Sequence, residues 1–220
     1  MPPCASRSSL FINLRIRKFS GHFEPFCEFP PHKSGKITLV QGLAGHGQAL
    51  SLNGTTDAVD LGNKAVWNPS GSFSISLWAN AAAWDSEWAH TMIGNRGEDG
   101  VGWQVRRWGN SPNIAFTTRG VGNDDTQSVA AMPLNEWVHI TCVYDDEANT
   151  KTIYINGIQD RVVTTTAGAH VAATTHNTYI GARANSGNTG QEALFTGLLD
   201  EIRVYNRALT AGEADFLSTP

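Results

Sequence analysis

Residues 84–108 contain an unusual concentration of tryptophan and arginine. The members are Trp84, Trp88, Arg96, Trp103, Arg106, Arg107 and Trp108. Alternate side chains of an extended strand share a face, so Gln104, Arg106 and Trp108 lie together. Trp103 lies on the opposite face, and one of the two faces must be exposed. An exposed strip of this kind suits a sugar, including a charged one, because rings stack on C–H faces and guanidinium groups form paired hydrogen bonds. The alternative is that the first two tryptophans only fill an edge of the fold.

A second group of aromatic side chains falls on one side of three predicted strands. These strands are predicted at residues 72–79, 137–144 and 152–156. Their aliphatic residues share one face, which must be the buried face because burying each such side chain is worth about 1.5–3 kcal/mol. Trp78, His139 and Tyr154 lie on the other face. They are a candidate sugar-binding surface, and the alternative is that a loop covers them.

The elements that must position these residues are short strands. About eleven alternating runs follow residue 36 and are separated by turn residues. Asn53-Gly54 and Asn156-Gly157 are dipeptides typical of two-residue hairpin loops. The only predicted helix is the stretch 210–217, where Thr210 and Glu213 have the spacing of a capping box. Many short strands with almost no helix predict an all-β, two-sheet sandwich or barrel.

The charge distribution divides the chain into two parts. Residues 1–37 hold six Lys/Arg and two Glu, whereas the whole chain has a net charge of −4. We therefore expect residues 1–34 to be a poorly ordered N-terminal extension, or a start assigned too far upstream, and residues 35–220 to be the folded domain. The acidic balance argues against nucleic-acid binding, and no apolar stretch approaches the ~18 residues of a membrane span. No signal peptide is recognisable in the basic segment.

Five segments resemble laminin-G-like domains, which are concanavalin A-like jelly rolls of the lectin and glucanase type. They are Ala49–Leu61, Ser72–Trp78, Glu136–Asp145, Ile153–Gly157 and the most specific, Phe195–Leu209. The resemblance covers roughly residues 36–217. It implies two antiparallel sheets packed face to face, with one concave outer face and at most one short C-terminal helix. It does not determine the function, because this fold serves lectins, adhesion modules, lyases and glucanases.

The same resemblance implies a structural calcium ion. The aspartate at the start of the last strand often binds calcium in such domains, and Asp200 matches it in this sequence. Asn53, Asp57 and Asp60 lie in a turn that the family fold places near that strand. Calcium takes six to eight oxygen ligands, and carboxylate and amide groups supply them. The alternative is that these side chains only cap turns and accept backbone hydrogen bonds.

Catalytic chemistry is harder to find. The glucanases of this fold carry acidic residues on alternate positions of one strand, and no E-x-D-x-E run is present. The lyases use arginine, glutamine, histidine and tyrosine, and Gln104, Arg106, His139 and Tyr154 form a partial match. Whether the protein is an enzyme stays open, with the balance against it.

The sequence as a whole favours a non-catalytic module that binds a carbohydrate or glycoprotein, in adhesion, outside the cell or at its surface. The predicted ligand-binding residues are Trp78, Trp103, Arg106, Trp108, His139 and Tyr154. A polysaccharide lyase or glycoside hydrolase with a non-standard site is the main alternative. A purely structural module within a larger surface assembly is the third.

Overall fold

The computed structural model describes residues 11–13, 32–34, 37–85, 90–96 and 100–220. Most of this part of the chain forms strands. They are β1 (Phe11–Asn13), β2 (His32–Ser34), β3 (Thr38–Gln41), β4 (Gln48–Asn53), β5 (Ala58–Gly62), β6 (Phe73–Ala81), β7 (Thr91–Gly94), β8 (Trp103–Arg107), β9 (Asn113–Thr118), β10 (Asp125–Ala131), β11 (Val138–Asp145), β12 (Thr150–Ile155), β13 (Ile158–Thr164), β14 (Thr178–Ile180), β15 (Arg183–Ala184), β16 (Gln191–Glu192) and β17 (Thr196–Tyr205). A 3-10 turn, Ala65–Trp67, and one α-helix, α1 (Ala211–Leu217), complete the described elements.

The strands form two antiparallel sheets and one small hairpin. Sheet I has the order β13-β12-β11-β6-β17-β4-β3, with β1 beside β17. Sheet II has the order β10-β9-β8-β7-β14-β5-β2, and β15 pairs with β16. The predicted all-β, two-sheet antiparallel jelly roll is confirmed, as is the single short C-terminal helix.

The core lies between the sheets and follows the alternation of the strands. Phe73, Ile75 and Leu77 point inward from β6, and Val105 and Phe116 point inward from sheet II. Phe73 packs edge-on against Phe116, with 5.8 Å between the ring centroids. Period-2 alternation therefore assigned the buried face of the predicted strands correctly.

A lysine joins the two sheets through this core. Lys151 shares the inward face of β12 with Ile153 and is completely buried. Its Nζ donates to the carbonyl oxygens of Phe116, Asn123 and Asp124 at 2.9, 2.9 and 3.0 Å. Burial lowers the pKa of Lys151 to about 7. These bonds fix the turn between β9 and β10.

The turn dipeptides and the helix cap have different outcomes. Asn156 and Gly157 take positive φ values of 49° and 77° and close the β12–β13 hairpin as predicted. The prediction for Asn53-Gly54 is wrong, because β4 belongs to sheet I and β5 to sheet II. That turn carries the chain between layers. At α1, Thr210 and Glu213 form the predicted capping box.

Two strands of the N-terminal segment pair with the sandwich. β1 lies across from β17, with Phe11 opposite Tyr205, and β2 lies across from β5, with Lys33 opposite Val59. The rest of residues 1–34 lies outside the described residues, and the domain boundary at residue 35 stays a prediction. No helix in the described part of the chain is long and apolar enough to cross a membrane.

Candidate functional site on the outer face of sheet II

The outer face of sheet I carries two of the predicted ligand-binding residues. Trp78 and His139 face each other across β6 and β11, with ring centroids 5.2 Å apart, and neither belongs to the core cluster. However, only 5% of Trp78 and none of His139 is exposed. The predicted orientation away from the core is therefore right, but the expectation of an open binding surface is wrong.

His139 is held as a neutral imidazole in this buried place. Its Nε2 lies 2.9 Å from the hydroxyl of Ser76. Burial, with a smaller effect of the Arg203 charge, lowers the pKa of His139 to about 3. A ring that cannot be reached by solvent and does not protonate near neutral pH is suited to packing rather than to ligand binding.

Tyr154 is covered by the C-terminal helix. Its ring packs with Val143, Tyr205, Leu209 and Ala214, the last of which lies on α1. The assignment of Tyr154 to a binding face is therefore corrected: the helix that the sequence predicted returns onto that face. The contact is made through Ala214, the buried residue of α1.

Trp103 also requires a correction. It points inward from β8, is 1% exposed, and packs at 5.8 Å from the ring of Phe73. Its Nε1 donates to the carbonyl oxygen of Trp67 at 2.8 Å. Trp103 is thus a core residue whose polar atom is satisfied, so it is not available to a ligand.

The outer face of sheet II is built differently, around one continuous line of residues that we call the polar row. Each member lies opposite the next on the neighbouring strand: Asp60, Tyr179, Gly94, Gln104, Thr117 and Asp125. Sequence reasoning singled out Gln104 on this face and missed Tyr179, Thr117 and Asp125. No local signal identifies them, because pairing between strands distant in sequence brings them together.

Arg106 lies beside the polar row, on the outer face that was predicted for it. Its Nε and Nη2 donate to the hydroxyl of Thr117 and to the Asp125 carboxylate, both at 3.2 Å. Asp125 also accepts from Thr117 at 2.7 Å and pairs with Arg119 at 3.1 Å. Burial alone would raise the pKa of Asp125, but the hydroxyl of Thr117 and the two arginines together lower it. Asp125 therefore stays charged and holds both guanidinium groups in place.

Trp108 is on the same face as Arg106, as predicted, and is half-buried. The Arg106 guanidinium carbon lies 5.1 Å from the centre of its ring. Stacking by the cation fixes one side of the indole, and Arg106 thereby connects Trp108 to Thr117 and Asp125 of the polar row. This placement keeps Trp108 as a candidate stacking platform for a sugar.

Four arginines surround the polar row, and we call them the arginine cluster: Arg96, Arg106, Arg119 and Arg183. Arg183 pairs with Glu192 at 2.9 Å, across the β15–β16 hairpin. Arg96 has an ion pair with none of the described acidic residues. Burial, followed by the charges of Arg119 and Arg183, lowers the pKa of Arg96 to about 10. The charge of Asp125 opposes this shift.

Gln104 lies in the middle of this arrangement with its amide unsatisfied. It is completely buried, and neither Oε1 nor Nε2 has a hydrogen-bond partner among the described residues. Gly94 lies directly opposite it, and a Cβ there would come within 2.5 Å of the Gln104 Cβ. Only glycine at this position leaves room for the glutamine side chain.

The four predicted calcium ligands do not fit one ion. Asn53 Oδ1 accepts backbone N–H groups of its own turn, while Asp60 lies in the polar row of sheet II. Asp200 lies in sheet I opposite Trp78, and its carboxylate accepts the N–H groups of Leu43 and Glu201. Asp57, the fourth, follows the Asn53 turn. Within the residues that the structure describes, no three His, Cys, Asp or Glu side chains are grouped to hold a metal.

The partial lyase set is also divided. Gln104 and Arg106 lie on sheet II, whereas His139 and Tyr154 lie on sheet I with the core between them. The two pairs therefore cannot act on one substrate molecule.

Comparison with known proteins identifies the class of protein that this architecture represents. A laminin G family model, described as the concanavalin A-like lectin/glucanases superfamily, matches residues 53–215. The chain belongs to this superfamily. A search of the curated proteins finds no match to the sequence.

Three solved structures illustrate the similarity. Domain 4 of AbnA, an extracellular arabinanase from Geobacillus stearothermophilus in complex with arabinotriose, is 19% identical with a TM-score of 0.60, and the match covers 96% of this chain and 88% of that one. The binding domain of Paraclostridial Mosquitocidal Protein 1 is 16% identical with a TM-score of 0.64, over 86% and 46% of the two chains. The binding domain of botulinum neurotoxin DC in complex with SialylT is 15% identical with a TM-score of 0.60, over 86% and 45%. This chain thus spans about half of the two toxin domains, and the likeness shows the fold.

Proposed function

We propose that this protein is a carbohydrate-binding module that uses the outer face of sheet II. The single observation that carries the proposal is the buried, unsatisfied amide of Gln104 at the centre of the polar row. Gln104 is as buried as His139, so a ligand reaches it only where the covering side chains move aside. A buried amide without a partner costs about 1–3 kcal/mol, and ligand hydroxyl groups that reach it would offset that cost. Structural neighbours solved with arabinotriose and with SialylT support the same class of ligand.

The chemistry of the polar row fits a sugar. The row carries hydroxyl, amide and carboxylate groups along one line, on Tyr179, Gln104, Thr117 and Asp125. The Arg106 side chain connects this line to the aromatic ring of Trp108. Saccharides expose alternating hydroxyl groups and C–H faces, which need such a mixture of hydrogen-bonding and stacking partners.

The finer parts of this function are also proposals. The ligand is a free glycan or the glycan of a glycoprotein, met outside the cell or at its surface, as in adhesion. We also propose that the module binds the glycan without hydrolysing it: in the described part of the chain, the carboxylates of the polar row are Asp60 and Asp125, which lie at its two opposite ends. A larger surface assembly is compatible with this role.

A glycan array of the purified full chain tests the proposal. We expect binding by the wild type, and several-fold weaker binding by Trp108→Ala, because a stacked ring contributes about 0.5–1.5 kcal/mol beyond its area. Ile158→Ala is the matched control, because Ile158 is 74% exposed and lies on β13, in sheet I. Loss of binding in both variants, or in neither, would contradict this location for the site.

A further inference from the structure

We infer that the glycan bound on the polar row carries an acidic group, and that Arg96, Arg119 and Gln104 bind its carboxylate or sulfate oxygens. This inference rests on the proposed function and names the class of its ligand.

The first support is a set of buried donors that the protein itself does not use. Arg96 Nε, Arg119 Nε and Gln104 Nε2 are all buried without a hydrogen-bond partner in the described part of the chain. Arg119 uses a different nitrogen, Nη1, for Asp124 and Asp125, at 3.4 and 3.1 Å. The two acids therefore leave its Nε free. Three unused N–H donors in one place match the several acceptor oxygens of an anion.

The second support is that these donors converge. Gly94 and Thr117 lie opposite Gln104 on either side. Arg96 is two residues beyond Gly94, and Arg119 is two residues beyond Thr117. Because the strands are antiparallel to β8, both arginines lie at the same end of Gln104, within about 7 Å along the strands. One small anionic group can reach both.

The third support is electrostatic. Arg106 and Arg119 share the carboxylate of Asp125, and Arg183 has Glu192, whereas Arg96 has no acidic partner among the described residues. Burial, followed by the charges of Arg119 and Arg183, lowers the pKa of Arg96, and the charge of Asp125 opposes the shift. A nearby anion would add to the effect of Asp125 and favour the protonated form.

The length of the site favours an acidic oligosaccharide over a free inorganic anion. The polar row crosses six strands from Asp60 to Asp125. At about 4.8 Å between strands, the row is roughly 24 Å long, the length of several sugar units, with its end members Asp60 and Asp125 partly exposed and its middle members buried. A lone anion would contact only the arginine cluster and not the rest of the polar row.

Calorimetric titration of the full chain with matched ligand pairs tests the inference. One pair is oligogalacturonate and its methyl ester, and the other is a sulfated galactan oligosaccharide and its desulfated form. We expect the wild type to bind one acidic member at least about tenfold more tightly than its neutral counterpart. Arg96→Gln should remove that preference, and Arg96→Lys should keep part of it, since it retains the charge without the fork of donors.

The control is Arg161→Gln, which removes the same charge from the exposed edge strand β13. It should leave the preference intact, and thermal melting shows whether each variant is folded. Equal affinity for acidic and neutral members, or an unchanged preference in Arg96→Gln, would overturn the inference and leave carbohydrate binding standing. Sulfate or galacturonate monomer that binds as tightly as the oligosaccharide would show a simple anion site. Absence of any glycan binding would overturn the proposed function itself.

Discussion

The two outer faces of the sandwich are made by the same period-2 alternation but differ in what their side chains do. On sheet I, Trp78, His139 and Tyr154 are buried, and Tyr154 is covered by α1. On sheet II, the polar row and the arginine cluster retain buried donors without partners. Buried polar atoms without partners occur on both faces, Trp78 Nε1 and His139 Nδ1 among them. Those beside sheet II include guanidinium nitrogens, which suit an anionic ligand.

The largest expected effect is on the free energy of unfolding, and it distinguishes the outer face of sheet I from that of sheet II. Tyr154→Ala should lower the free energy of unfolding by about 3 kcal/mol, because it removes an aromatic ring from the cluster under α1. Urea denaturation measures the change, and Tyr154→Phe is the control that keeps the ring. Folded Tyr154→Ala should bind glycan like the wild type. A variant that loses affinity without losing stability would return the binding site to sheet I.

The pH dependence of stability tests the burial of His139. The pKa of this group is about 3 in the folded protein and about 6.5 when unfolded, so only the unfolded chain takes up a proton between these values. Stability should therefore fall as the pH drops from 6.5 toward 3, by up to about 1.4 kcal/mol per pH unit from this group. Denaturant midpoints between pH 4 and 7 should be flatter for His139→Gln than for the wild type. Parallel curves would mean that His139 is open to water.

A substitution on the outer face of sheet II should change stability by less than Tyr154→Ala does, and should increase it. Gln104→Leu should raise the free energy of unfolding by about 1 kcal/mol, because it replaces a buried amide without a partner by an apolar side chain of similar size. The same change should weaken glycan binding. Thermal melting and the glycan titration measure the two effects. A destabilised variant would show that the amide has a structural partner, and that the face is not held ready for a ligand.

The smallest expected effect concerns calcium. The Asp200 carboxylate accepts two backbone N–H groups, and the other predicted ligands lie elsewhere. Asp200→Asn should therefore leave the response of the melting temperature to EDTA unchanged. That the protein binds calcium stays a prediction from the family resemblance. A melting temperature that falls with EDTA and recovers with calcium, but not in Asp200→Asn, would establish the ion.

The sequence predicted the architecture well because its signals are local. Alternation identified the inward faces of β6, β11 and β12, and Thr210 with Glu213 identified the start of α1. Arg106 and Trp108 were placed together for the same reason.

The rest of the site depends on contacts between distant segments. Alternation shows that Tyr154 points outward but not that residues 210–217 cover it. The polar row is also formed by long-range pairing. Strand order and register bring Thr117, Asp125 and Tyr179 to Gln104, and no short motif encodes either. The turn at Asn53 failed as a hairpin signal because the same residues also suit a crossing between sheets.

The most direct test of the central claim is a ¹H–¹⁵N NMR titration of the full chain with the tightest-binding glycan from the array. We expect the largest chemical-shift changes on the amides of β7–β10 and on the side-chain amide of Gln104, with little change in β6, β11, β12 and α1. Changes concentrated around Trp78, His139 and Tyr154, with an unaffected Gln104 side chain, would contradict it.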